Sequence, residues 1–146
     1  MSYNLNQSNG GFESLSAAGL AEGTNANTFK TSNTLVYTSD GVFKSKAATN
    51  NVAFTSAHTQ VPASSTCLFG VWIDSAGNLS TSQGAIVPSG DQKPFPNAPA
   101  ADLTLVGLIQ VTTNSSTTFT ANTTDLGAGG VTDAYFDCTR MPSNNF

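Results

Sequence analysis

At 146 residues, with a formal net charge of -4 and charged side chains making up only 10% of the chain, the sequence has the size of one domain and an electrically quiet, Ser/Thr/Asn/Gly-rich surface. The five cations Lys30, Lys44, Lys46, Lys93 and Arg140 include only one close pair, Lys44 and Lys46, too little to neutralise phosphates, so no nucleic-acid partner is expected. No apolar run approaches the roughly eighteen residues that span a bilayer, and the opening MSYNLNQSNGG lacks the basic and apolar regions of a signal peptide, so neither a membrane nor export is expected.

Residues 1–33 read as an extended polar arm, with Leu5, Phe12, Leu15 and Leu20 too sparse to build a core. Glu13 to Leu20 has at most the makings of a helical turn, limited by Gly19 and Gly23. From Thr34 the pattern is that of a β protein, short Val/Thr/Phe-rich runs separated by Gly, Asn, Asp and Pro. Leu35-Val36-Tyr37 and Val42-Phe43-Lys44 flank Asp40-Gly41, a dipeptide suited to the positive φ angles of a type I′ hairpin turn. A weaker strand is expected over Asn51 to Thr55, and another ending at Val61 before Pro62.

In the run from Cys67 to Ile73, the residues Cys67, Phe69, Val71 and Ile73 share one face, and Leu68 and Trp72 the other; both faces are apolar, which predicts a central strand. Asp74 to Asn78 reads as a turn leading to a more polar return over Leu79 to Gln83. The stretch from Ala85 to Asp102 holds Pro88, Pro94, Pro96 and Pro99 and predicts a long extended loop that contacts a partner. Leu103 to Val111 is a second central strand, with Leu103, Leu105, Ile109 and Val111 set opposite Val106 and Leu108. Phe119-Thr120 and Val131 to Cys138 follow, the last placing Ala134, Phe136 and Cys138 against Asp133, Tyr135 and Asp137. The expected fold is all-β, a single β-sandwich of jelly-roll or related Greek-key type over residues 34–138, with a tail at 139–146. Phe69, Val71, Ile73, Leu105, Ile109 and Phe136 are its expected core.

Residues suited to chemistry are few. A Ser-His-Asp arrangement would depend on His58, the single histidine, and no GxSxG elbow accompanies it, so His58 reads as a surface or hydrogen-bonded side chain. Zinc would need four Cys or His ligands, and Asp74 to Asn78 lacks the acidic density of a calcium loop, so no metal or other cofactor is expected. Cys67 and Cys138 read as free buried thiols. Asp125, Asp133 and Asp137 read as solvent-facing positions rather than a glycosidase pair. Gly127 to Gly130 precedes a strand and not a helix, so it is turn material rather than a phosphate loop. Trp72, Tyr37, Phe43, Phe69, Phe119, Tyr135 and Phe136 read mostly as core, not as a sugar-stacking platform. Phe95 and Phe146, large apolar residues in polar segments, are better contact candidates.

The order of features from Leu35 to Asp137 resembles virion-associated proteins of tailed phages, including capsid decoration or cement proteins. The similarity is carried by the Leu35-Val36-Tyr37/Val42-Phe43 hairpin, Asn51-Val52-Ala53-Phe54 and the Cys67 to Asp74 run with its Ser75 to Leu79 turn. It continues through Thr81 to Gly84, the spacer Phe95-Pro96-Asn97-Ala98-Pro99-Ala100, Leu105 to Val111, Phe119 to Leu126 and Val131 to Asp137. The resemblance implies a non-enzymatic β protein on the outer capsid surface, often a homotrimer, that binds the major capsid protein or other virion proteins. The first expectation is a cement that bridges shell subunits, with Leu5, Phe12, Leu15 and Leu20 of the arm, and Phe95 and Phe146, as contact residues. The alternative is a head or tail fibre module that binds host-surface carbohydrate, although no coiled-coil heptads or repeats of a shaft are visible.

Overall fold

The computed structural model describes residues 11–139. In chain order its strands are β1 (Leu20–Glu22), β2 (Phe29–Thr31), β3 (Leu35–Ser39), β4 (Val42–Lys46), β5 (Thr49–Val52), β6 (Ser65–Ile73), β7 (Leu79–Gln83), β8 (Val87–Pro88), β9 (Thr104–Thr113) and β10 (Val131–Asp137), and none of the described residues is helical. The fold is all-β and sandwich-like. Its larger sheet runs β10-β9-β6-β7, with β8 beside the start of β6; β1-β2-β5 form a second sheet and β3-β4 a two-stranded third, every pairing antiparallel.

The period-2 alternation of β6 works as its sequence predicts. Cys67, Phe69, Val71 and Ile73 are fully buried against Ile109 and Val111 of β9 on one side of the sheet, and against Phe29, Leu35, Tyr37, Phe54 and Phe119 from the opposing layer. Phe54 sits at the centre of this core, its ring in edge contact with Phe29, Phe69 and Phe119 at centroid distances of 5.5, 5.1 and 6.4 Å. Burial of each such side chain contributes about 1.5–3 kcal/mol. Phe54 lies just after β5 in irregular backbone, and Asn122 holds it there: the Phe54 N–H donates to Asn122 Oδ1 at 2.8 Å, and Asn122 Nδ2 donates to the Phe54 carbonyl at 3.0 Å.

Four expectations are corrected. Residues 11–33 are part of the domain and not an arm: Ala18, Leu20 and Phe29 belong to the core, and 13–16 line the second edge of β3, where Leu15 N–H donates to the Val36 carbonyl and Thr38 N–H to the Glu13 carbonyl, each at 2.8 Å. Gly19 and Leu20 N–H also donate to the Asp137 carboxylate at 3.1 and 3.0 Å, which ties β1 to the end of β10. The apolar residues there are sparse because they only complete a core that β6 and β9 dominate.

Leu105 is half-exposed instead of buried. Val71 faces Gly107 whereas Trp72 faces Leu105, so the register slips at a bulge that leaves Val106 extra. One inserted residue reverses which side chains face inward, and Val106 takes the core position. Phe136, also expected in the core, is 48% exposed. It pairs with Leu108 on the outer face of the sheet, while Tyr135 turns inward. Phe119 is held by a lone bridge to Val61 rather than in a strand.

Candidate functional site

The outer face of the larger sheet carries apolar residues among polar ones: β6 contributes Leu68, Gly70 and Trp72 to it, and β9 contributes Leu105 and Leu108, beside Ser80, Ser82, Gln110 and Thr112. The proline-rich stretch covers only part of this face. After pairing with β6 through β8, it turns at Gly90 and returns across the sheet, passing over Gly84 and Gly70. A Cβ on Gly70 would lie 2.6 Å from Trp72 Nε1, 3.0 Å from Ser82 Oγ and 3.1 Å from Pro96 Cγ. Pro96 is consequently buried, while its neighbour Phe95 remains 56% exposed.

Beside this crossing lies a groove of about 370 Å³ lined by Phe12, Trp72, Phe95, Leu103 and Leu105. The indole N–H of Trp72 donates to Ser82 Oγ at 2.8 Å. With that donor engaged, the ring presents only carbon to the groove. Five apolar side chains among the described residues wall this opening, with Phe136 exposed further along the same sheet face, a surface that suits apolar side chains of a partner.

Two of the contact residues read from sequence, Phe12 and Phe95, converge on this groove although 83 positions separate them (95 minus 12). Leu15 is half-buried along β3, and Leu20 is spent on the domain's own core and is not available to a partner. Leu5 and Phe146 lie outside the described residues, as does the tail beyond Thr139. The sequence reading missed Leu103 and Leu105 as groove walls because the bulge is invisible in the alternation. The apolar second face of β6 was the available signal for Trp72. A second exposed apolar group stands on the β3-β4 hairpin, where Val42 is 56% and Phe43 74% exposed, contrary to the core reading of Phe43.

The reactive side chains are engaged in structural contacts. His58 Nε2 lies 2.8 Å from Thr81 Oγ1, and its ring packs on Phe69 at 5.5 Å. Burial lowers its pKa, which favours the neutral ring. The Asp74 carboxylate accepts from Asn78 N–H at 2.8 Å, Ala76 N–H at 2.9 Å and Asn78 Nδ2 at 3.0 Å, closing the β6-β7 turn upon itself. Those bonds, the Asn78 amide first, lower its pKa. Cys67 and Cys138 are free thiols; burial pushes Cys67 up to about 11, with Gln83 Nε2 3.7 Å from its sulfur as a small opposing influence. Asp137 serves the β1 amides. Burial, and then Asp133, raise the Tyr135 phenol, whose buried hydroxyl makes no hydrogen bond among the described residues. Among the described residues no three of His, Cys, Asp and Glu stand together in a group able to hold a metal ion, and no helix is long and apolar enough to cross a membrane. Compared with protein-family models, curated proteins and solved structures, the chain matches none.

Proposed function

We propose that this protein is a non-catalytic virion structural module, a capsid decoration or cement protein that seats the outer face of its larger sheet on neighbouring shell subunits. The observation that carries this reading is the convergence of Phe12, Trp72, Phe95, Leu103 and Leu105 on one apolar groove, with Phe136 exposed on the same sheet face. Apolar surface rimmed by polar residues marks a contact face, and a few aromatic anchors supply most of the energy of such contacts. Three side chains suited to acid or base chemistry are held in structural contacts, His58 by Thr81 and Phe69, Asp74 by its own turn, Asp137 by β1. The phage assignment rests on the resemblance carried by the features from Leu35 to Asp137, and that resemblance also implies three associated copies and the major capsid protein as partner. Because residues 11–33 are built into the domain, the proposed anchor is the groove and not an arm.

Particles lacking the protein, incubated with the native chain and with Phe95→Asp, provide the test. Phe95 is exposed, so the variant should fold normally by circular dichroism while its occupancy falls at least about tenfold, and the temperature at which the shell opens falls with it. Equal occupancy by both proteins would remove the groove reading. Binding to cell-surface glycans without binding to shells would put the fibre module in its place.

A further inference from the structure

We propose that the free edge of β4 is a second docking site, separate from the groove, which receives an extended partner segment of alternating acidic and apolar residues as an added strand. The hairpin is closed by Asp40-Gly41, with φ of 51° and 76°, so Ser39 and Val42 form the hydrogen-bonded pair that flanks the turn. Alternation along an antiparallel ladder then makes Tyr37 with Lys44, and Leu35 with Lys46, bonded pairs as well. The N–H and C=O groups of Phe43 and Ser45 therefore point away from β3. The complementary edge confirms the phase, since Val36 and Thr38 direct their backbone groups outward to Leu15 and Glu13.

The edges of β3 and β7, by contrast, are occupied. Residues 13–16 line β3, and β7 is capped by Thr55 N–H on Thr81 Oγ1, Thr81 N–H on Thr55 Oγ1 and the Gln83–Thr59 pair. Among the described residues nothing pairs with Phe43 or Ser45 on the open side of β4.

The side chains of β4 specify the occupant. Phe43, 74% exposed, stands opposite Thr38 on the outer face of the hairpin, the face that also carries Val36, and asks for an apolar neighbour. Lys44 and Lys46 project on the other face, and neither ammonium is in an ion pair among the described residues. In a chain of net charge -4, Leu35 to Lys46 carries two cations against the single carboxylate of Asp40. A strand laid along β4 thus meets Lys44 and Lys46 on one face and Phe43 on the other, the period-2 signature of an acidic/apolar segment. A second copy fits badly: antiparallel β4 against β4 through Phe43 and Ser45 sets Lys44 opposite Lys44 of the other copy, a like-charge pair. A membrane surface also fits badly, because Val42 and Phe43 point to opposite faces and the open amides would enter hydrocarbon unpaired.

The full chain, titrated with a short blocked peptide alternating glutamate with valine, and separately with the lysine counterpart, provides the test by amide NMR and hydrogen exchange. The glutamate peptide should shift and protect the Phe43 and Ser45 amides and bind about tenfold more tightly than the lysine peptide. Ser45→Pro removes an outward N–H without breaking a bond to β3, so it should abolish binding while the Val42, Lys44 and Lys46 amides stay protected. The double variant Lys44→Glu, Lys46→Glu, which leaves the backbone edge intact, should prefer the lysine peptide. The proposal is overturned if neither peptide protects those amides up to millimolar concentration, if both bind equally, or if binding survives Ser45→Pro in a folded protein. It is equally overturned if copies pair through β4 in the absence of peptide, or if the hairpin partitions onto anionic vesicles in preference to the peptide. These readouts are at Phe43 and Ser45, so they stand or fall apart from the groove at Trp72.

Discussion

Asn122 holds the core through two hydrogen bonds to the Phe54 backbone while itself standing at φ 65°. Each bond contributes about 1 kcal/mol, and a residue with Cβ but no polar group in that conformation adds about 1 kcal/mol of strain. Asn122→Ala is therefore expected to lose about 2–4 kcal/mol in urea unfolding, with Asn122→Gly losing less because glycine accepts the angle. His58 gives the fold a pH dependence whose sign follows from burial. Its folded pKa lies below the ordinary value near 6.5, so the unfolded chain binds the proton first. The stability associated with the neutral ring is complete above about pH 6.5 and is lost as the pH falls toward the lower folded value. Thermal melting points measured from pH 7.5 down to 5 should drop in the native protein and drop less in His58→Gln. A slope unchanged by the substitution would show that the burial of His58 does not set the pH dependence in this range.

Among the elements, the crossing of the proline-rich stretch over β6 depends on an absent side chain. Gly70→Ala would place a methyl 2.6 Å from Trp72 Nε1 and 3.1 Å from Pro96 Cγ, in a layer with no room to give. Overpacking of this kind costs about 1–3 kcal/mol, and here it should also lift Pro96 and wet the indole, visible as a red shift of the fluorescence of Trp72, the chain's single tryptophan. An unchanged spectrum and melting point would contradict the packing described. The same elements show what a sequence reveals. Phe69, Val71, Ile73 and Ile109 were legible as core because strict alternation links position to face. Leu105 was not, since the Val106 bulge resets the phase without leaving a Gly or Pro at the inserted residue. Phe136 was not, since an edge strand such as β10 can turn a large ring outward where a central one cannot. The burial of Leu20 and Phe29 was equally hidden, because short strands in polar company acquire their core role only from partners far along the chain.

For the molecule as a whole, the two exposed apolar features differ in kind. The groove at Trp72 offers shape and carbon, whereas the β4 edge offers amides, carbonyls and charge. A protein with both can touch one partner through side chains and a second through its backbone, which is the arrangement a bridging component needs. Phe12 and Phe95 were legible as contact residues from their polar surroundings, but their meeting in one groove was not, because only the path of the proline-rich stretch over Gly84 and Gly70 brings them together.

The grip of Asp137 on the Gly19 and Leu20 amides spans 118 and 117 positions, and this sets a timetable for biosynthesis. At a translation rate of about 5–20 residues per second, β1 has left the ribosome on the order of ten seconds before its carboxylate partner exists. Within that interval, from the emergence of β6 until β9 has followed it, β6 stands without its sheet partner and with two apolar faces open to water. Such non-local closure is slow even for a finished chain. The nascent protein is therefore most exposed to aggregation just before its last strand emerges, when nearly all of its apolar surface has been made and the bond that locks the first strand has not.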